Sequence, residues 1–143
     1  MINLTSLDIT NKNLVIRVDM NVPIRDEIVA DVSRIKACIP TIKFALENNA
    51  KVLLISHLGR PEEGKFEEKF SMKPVAESLS TILNEEVGLI DRLDSEDIFK
   101  SSLSIQILEN IRFFEGEKAN DKDLGDKLAN LGDIYVFDAF GTA

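Results

Sequence analysis

Arg60 and Arg112 are two of only six arginines in the chain, and each stands just past a short apolar run. They lie in the stretches Ser56-His57-Leu58-Gly59-Arg60-Pro61 and Glu109-Asn110-Ile111-Arg112-Phe113. A guanidinium fork matches phosphate or carboxylate oxygens bidentately, so the pair points to a small, strongly anionic ligand. Arg34 joins them from the first turn of a predicted helix. A cation there opposes the positive end of the helix dipole, and a bound anion would remove that conflict. His57 has two readings, a further phosphate donor or a satisfied loop histidine, and taken alone it is more simply the latter. Any one of these arginines is more simply explained as a partner for some of the 25 acidic residues. The four groups together, spread over separate loops and a helix start, favour the ligand. Asp19 and Asn21, in Asp19-Met20-Asn21-Val22-Pro23, have two readings of equal weight. They could hold a substrate hydroxyl or orient an arginine, or they could form a turn ahead of Pro23.

These residues need elements that bring them to one rim. Five short runs read as strands: Asn13–Val18, Lys51–Ser56, Val87–Ile90, Ser104–Leu108 and Ile134–Phe137. Helical spacing appears between them. Asp31 is expected to cap a helix running to about Asn48, with Ile35, Cys38, Ile39, Ile42 and Leu46 on its apolar face. Pro40 inside it predicts a bend or a late start. Ser71 opens a second helix with the stripe Val75, Leu79, Ile82 and Leu83. Asp94–Lys100 reads as a short third, and Asp121–Leu131 as a fourth that Gly132 stops. The gaps between strands suit parallel crossovers better than hairpins, although residues 21–30 have room for a small hairpin. The expected fold class is α/β, a Rossmann-like three-layer sandwich: a parallel sheet with helices on both faces. In such sheets ligands sit outside the carboxyl ends of the strands, where the arginine-bearing loops fall.

Composition narrows the choices. At roughly 150 residues per domain, 143 residues make one domain, 1–143. A net charge of -8 argues against a nucleic-acid surface and against a polybasic membrane anchor. The longest apolar runs are four residues, Val52–Ile55 and Ile134–Phe137, far short of the roughly 20 a membrane span needs. No signal peptide is apparent, and cytoplasmic is the default location. The single cysteine, Cys38, and the single histidine leave no Cys/His metal cluster to build. No Gly-rich nucleotide fingerprint is present, so no ATP, NAD or metal site is expected in these residues.

Taken in order, the loop motifs resemble phosphoglycerate kinase. Arg17–Pro23, RVDMNVP, is similar to that family's RVDFNVP, with Met20 where Phe is usual. Arg34-Ile35 with Pro40-Thr41-Ile42, Ser56–Pro61 (SHLGRP), Leu108–Phe113 (LENIRF) and Asp138–Ala143 (DAFGTA) follow in register. Phe137 stands where the family often has Asn. The resemblance implies the N-terminal, phosphoglycerate-binding part of a two-domain kinase, incomplete at its C-terminal end. It implies that Asp19 and Asn21 contact the substrate hydroxyl and carboxyl end, that His57, Arg60 and Arg112 hold the 3-phosphate, and that Arg34 is the catalytic arginine beside the transferring phosphoryl group. It further implies Mg-ADP or Mg-ATP on a C-terminal domain absent from this chain, 3-phosphoglycerate or 1,3-bisphosphoglycerate as small-molecule partner, and a monomeric full-length form. The isolated fragment is then expected to lack kinase turnover and to tend to self-associate. Two rivals are a Mg-dependent haloacid-dehalogenase-like phosphatase built on Asp19 and a non-catalytic anion-binding α/β module.

Overall fold

The computed structural model describes residues 8–61, 65–92, 98–114 and 122–137. β1 (Asn13–Arg17), β4 (Lys51–Ile55), β5 (Val87–Ile90), β6 (Ile105–Leu108) and β7 (Ile134–Phe137) form one sheet in the order β5-β6-β4-β1-β7. Every pairing in it is parallel, with Leu14 opposite both Val52 and Ile134. The α/β fold expected from the strand spacing is therefore the fold observed. The stretch suspected of holding a hairpin contains β2 (Ile24–Arg25) and β3 (Ile28–Val29), which pair antiparallel.

Alternation along the strands divides the core in two, because neighbouring side chains point to opposite faces. Leu14, Ile16, Val52, Leu54, Ile105 and Ile107 face α1 (Ser33–Glu47) and α2 (Lys73–Leu83). Val15, Leu53, Ile55 and Leu108 face the other way, onto Ile98, Ile111 and Leu128 of α3 (Lys122–Ala129). The central strands β1, β4 and β6 are buried on both faces and carry apolar residues at nearly every position, as such strands do.

The helices follow their predicted stripes with adjusted ends. α1 buries Ile35, Cys38, Ile42 and Ala45 and runs through Pro40, whose ring lies on the exposed side of the helix. Val32, not Asp31, occupies the capping position. The Asp31 carboxylate instead accepts from the Ser33 N–H at 2.9 Å and the Ser33 hydroxyl at 2.6 Å, one step ahead of the helix. α2 starts just after Ser71, whose hydroxyl accepts from the Lys73 N–H at 3.2 Å, and ends on left-handed Asn84. Of the short helix expected over Asp94–Lys100, the described part is a single 3-10 turn, Ile98–Lys100. No helix among the described residues is long and apolar enough to cross a membrane.

Candidate functional site

β6, β4 and β1 are adjacent, so the loops leaving their carboxyl ends form one continuous rim. α1 starts at the same rim, because its chain returns there through the β2–β3 hairpin. Main-chain bonds tie the loops together. The Ser56 hydroxyl accepts from the Met20 N–H at 2.9 Å and donates to His57 O at 3.0 Å. Ser56 O accepts from the Ile111 N–H at 3.1 Å. Ser56 thus fixes the loop after β4 to both of its neighbours, and it is buried.

Within the rim the polar side chains form a connected set. Arg34 Nη1 donates to Asn21 O at 2.7 Å and lies 3.4 Å from Asp19 Oδ1. Asp19 Oδ1 also accepts from the Asn21 N–H at 3.1 Å. Asp19 therefore holds both the turn and the arginine, which joins two of the readings its spacing left open. Asn21 Oδ1 accepts from the Gly59 N–H at 2.9 Å, and its Nδ2 sits 3.3 Å from His57 Nε2. Arg112 Nη1 donates to Gly59 O at 3.3 Å. Asp19, Asn21, Arg34, His57 and Arg112 are thereby linked through Gly59. Arg60 follows Gly59 in the same loop and is exposed, with no ion pair to a described residue. The Arg34–Asp19 contact is long and half the Arg34 side chain is exposed, so water screens it and an incoming anion can compete for the guanidinium.

Gly59 is at φ +60, and a Cβ built there would come within 2.6 Å of the Phe70 ring. Its glycine identity answers both to left-handed backbone and to a close neighbour. Glu109 and Asn110, absent from the sequence-based candidates, support the rim from beneath. The buried Glu109 carboxylate accepts from the Met72 N–H at 2.6 Å and the Ser71 hydroxyl at 2.8 Å, at the positive end of α2. Asn110 is fully buried, and its amide donates to Leu58 O at 2.6 Å and Phe70 O at 3.0 Å. Neither residue has a local spacing signature, because each bonds to segments distant in sequence.

Chemically, this rim presents guanidinium, imidazole and amide donors around a backbone fixed on three strands. Such a set suits an oxyanion with several oxygens. No group of three or more His, Cys, Asp or Glu side chains placed to hold a metal occurs among the described residues. Residues 4–143 match the family model for phosphoglycerate kinase.

The chain belongs to the phosphoglycerate kinase family.

It is 49% identical over 144 residues to the phosphoglycerate kinase of Legionella pneumophila (strain Paris), covering 100% of this chain and 36% of that protein. It is 48% identical over 137 residues to the enzyme of Desulfovibrio desulfuricans, covering 96% of this chain and 35% of the relative. The chain thus spans about a third of the length of the curated relatives it matches. Among solved structures, phosphoglycerate kinase from Coxiella burnetii superposes with a TM-score of 0.83 at 42% identity, over 94% of this chain and 34% of the other. The enzyme from Pyrococcus horikoshii OT3 gives 0.80 at 29% identity, over 96% and 36%. Of the phosphoglycerate kinase motifs read from the sequence, RVDMNVP, SHLGRP and LENIRF lie at the ends of β1, β4 and β6. The fourth, Asp138–Ala143, lies outside the described residues.

Proposed function

We propose that residues 1–143 form the phosphoglycerate-binding part of a two-domain phosphoglycerate kinase. In the reaction the acyl phosphate at carbon 1 of 1,3-bisphosphoglycerate passes to the terminal phosphate of ADP, leaving 3-phosphoglycerate and ATP. The observation that carries this reading is the hydrogen-bonded set joining Arg34, Asp19, Asn21, His57 and Arg112 across three adjacent strand ends. Phosphoryl transfer needs positioning and charge stabilisation more than a protein nucleophile. A rim of donors whose described carboxylates, Asp19 and Glu109, are already engaged fits that need. Asp19 is engaged with Arg34 and the Asn21 N–H, an orienting role and not that of a phosphatase nucleophile.

In this reading His57, Arg60 and Arg112 receive the 3-phosphate. Asp19 and Asn21 meet the hydroxyl and carboxyl end. Arg34 turns from Asp19 toward the transferring phosphoryl group and offsets its charge. The Mg-nucleotide is the second substrate. We assign it to the part of the full-length relatives that this chain does not span. The isolated chain therefore binds 3-phosphoglycerate and makes no ATP.

Titration with 3-phosphoglycerate, followed by amide NMR shifts, tests the reading. Shifts should concentrate in residues 18–23, 33–35, 56–61 and 109–113, and Arg112→Ala should weaken binding by about tenfold or more, the loss of a charge-assisted bond. Shifts confined to other surfaces, or an Arg112→Ala chain that binds as well as the parent, would overturn it. Robust ATP formation by the isolated chain would overturn the division of substrates.

A further inference from the structure

The Asn110 side chain bonds to both walls of the rim, Leu58 O on one side and the Arg112 N–H on the other. We infer that Asn110 is a positioning residue for the anion site, setting the Leu58–Gly59 peptide and Arg112 relative to each other. The inference rests on the phosphoglycerate reading for the identity of the ligand and on the geometry alone for the positioning.

The Asn110 amide is fully buried, so its hydrogen-bonding capacity has to be met by protein. Both Nδ2 protons are engaged, one on Leu58 O at 2.6 Å and one on Phe70 O at 3.0 Å. Oδ1 accepts from the Arg112 N–H at 3.1 Å and caps the 3-10 turn Ile111–Phe113. Three segments distant in sequence thus meet on one amide. Leu58 O belongs to the peptide whose N–H is that of Gly59, and that N–H is the donor to Asn21 Oδ1. Holding the carbonyl end of this peptide therefore aims its N–H at Asn21. From the other side the Phe70 ring packs where a Gly59 side chain would be, and Asn110 bonds Phe70 O. The peptide is clamped between the two residues. Gly59 O then receives Arg112 Nη1 at 3.3 Å, and the backbone of Arg112 hangs from Oδ1 of the same amide. Asn110 touches no expected substrate position itself. It acts through Gly59 and Arg112.

Serine separates the two jobs of this side chain. It is a good cap and keeps an acceptor for the Arg112 N–H, but it lacks the two amide donors and the reach to Leu58 O. Asn110→Ser is compared with Leu79→Ala, a buried change on α2 that lowers stability through the core. In the ligand-free chains, Asn110→Ser should shift or broaden the Arg112 Nε–H and His57 ring resonances, and Leu79→Ala should leave them in place. Among folded molecules, Asn110→Ser should bind 3-phosphoglycerate about tenfold more weakly, with Leu79→Ala unchanged. Unmoved Arg112 and His57 resonances, or equal loss of affinity in both variants, would overturn the inference. Moved resonances in a chain whose parent does not bind 3-phosphoglycerate would leave the positioning role standing and refute the ligand. If Asn110→Ser does not fold, the parent chain supplies the readout. Slower exchange of the Asn110 side-chain amide protons on adding 3-phosphoglycerate supports the role, and unchanged exchange overturns it.

Discussion

Asn21 uses both ends of its side-chain amide inside the rim. The Gly59 N–H can be met only by the amide oxygen, so the NH2 group faces His57 Nε2. An NH2 group donates and does not accept, so Nε2 must accept and the ring proton belongs on Nδ1. Ring 15N shifts at about pH 8, where an ordinary imidazole is neutral, should report that tautomer, and Asn21→Ala should mix the two forms. At the start of α1, the Ser33 hydroxyl bonded to Asp31, followed by the Ser33 N–H, holds the Asp31 carboxyl below its ordinary value. A lowered folded-state pKa contributes stability above the unfolded pKa and loses it as pH falls through the folded one. Ser33→Ala should return the Asp31 titration toward the ordinary carboxylate range, as an NMR pH series would show. The side chains Arg34, His57 and Arg112 were legible in the sequence because each follows an apolar run or opens a helix. Ser56, Glu109 and Asn110 were not. Their partners are main-chain atoms and a hydroxyl brought near by the fold, and no spacing rule encodes that.

The β2–β3 hairpin turns on Asp26 and Glu27, at φ +52 and +65. Two left-handed residues make a type I′ turn, whose preferred residues are Asn and Gly. Glu27 has a side chain that disfavours this backbone, so Glu27→Gly should stabilise the chain by about 1 kcal/mol in urea unfolding. Gly132 carries the opposite constraint. Its φ is not in the left-handed region, and it stops no helix turn directly, since α3 ends at Ala129. A Cβ on it would sit 2.7 Å from Asn13 O, beside the point where Asp133 brackets Asn13 with bonds of 2.8 and 2.9 Å. Gly132→Ala should cost about 1–3 kcal/mol by the same measurement, because main chain must move to admit the methyl group. Strand extents were readable from β-branched runs to within a residue. The order β5-β6-β4-β1-β7 was not, because it is decided by which faces the helices cover and not by any one segment.

Across the whole molecule, the two faces of the sheet are unequally covered at β7. Ile134 and Val136 pack into the α1 side, whereas Tyr135 is 37% and Phe137 53% exposed. β7 is also a sheet edge among the described residues, and it carries no charge or proline within its four residues. The opposite edge, β5, is flanked by Glu85, Glu86, Asp91 and Arg92 and contains Gly88. Charges and interruptions of that kind discourage edge-to-edge pairing. Sedimentation of the isolated chain should therefore show mass rising with concentration, and Phe137→Lys should reduce that rise. A constant monomer mass across the series would refute this expectation.

The bond between Arg112 and Gly59 joins residues 53 positions apart, and that between Gly59 and Asn21 spans 38. The hydrogen-bonded set runs from Asp19 to Arg112, and no shorter stretch of polypeptide holds all of it. A nascent chain leaving the ribosome cannot assemble that set until β1, β4 and β6 have all emerged and zipped side by side. Distant contacts of this sort slow the folding search. A ligand bound at the proposed site should therefore act on the molecule as a whole, suppressing its global opening more than the fraying of any single loop.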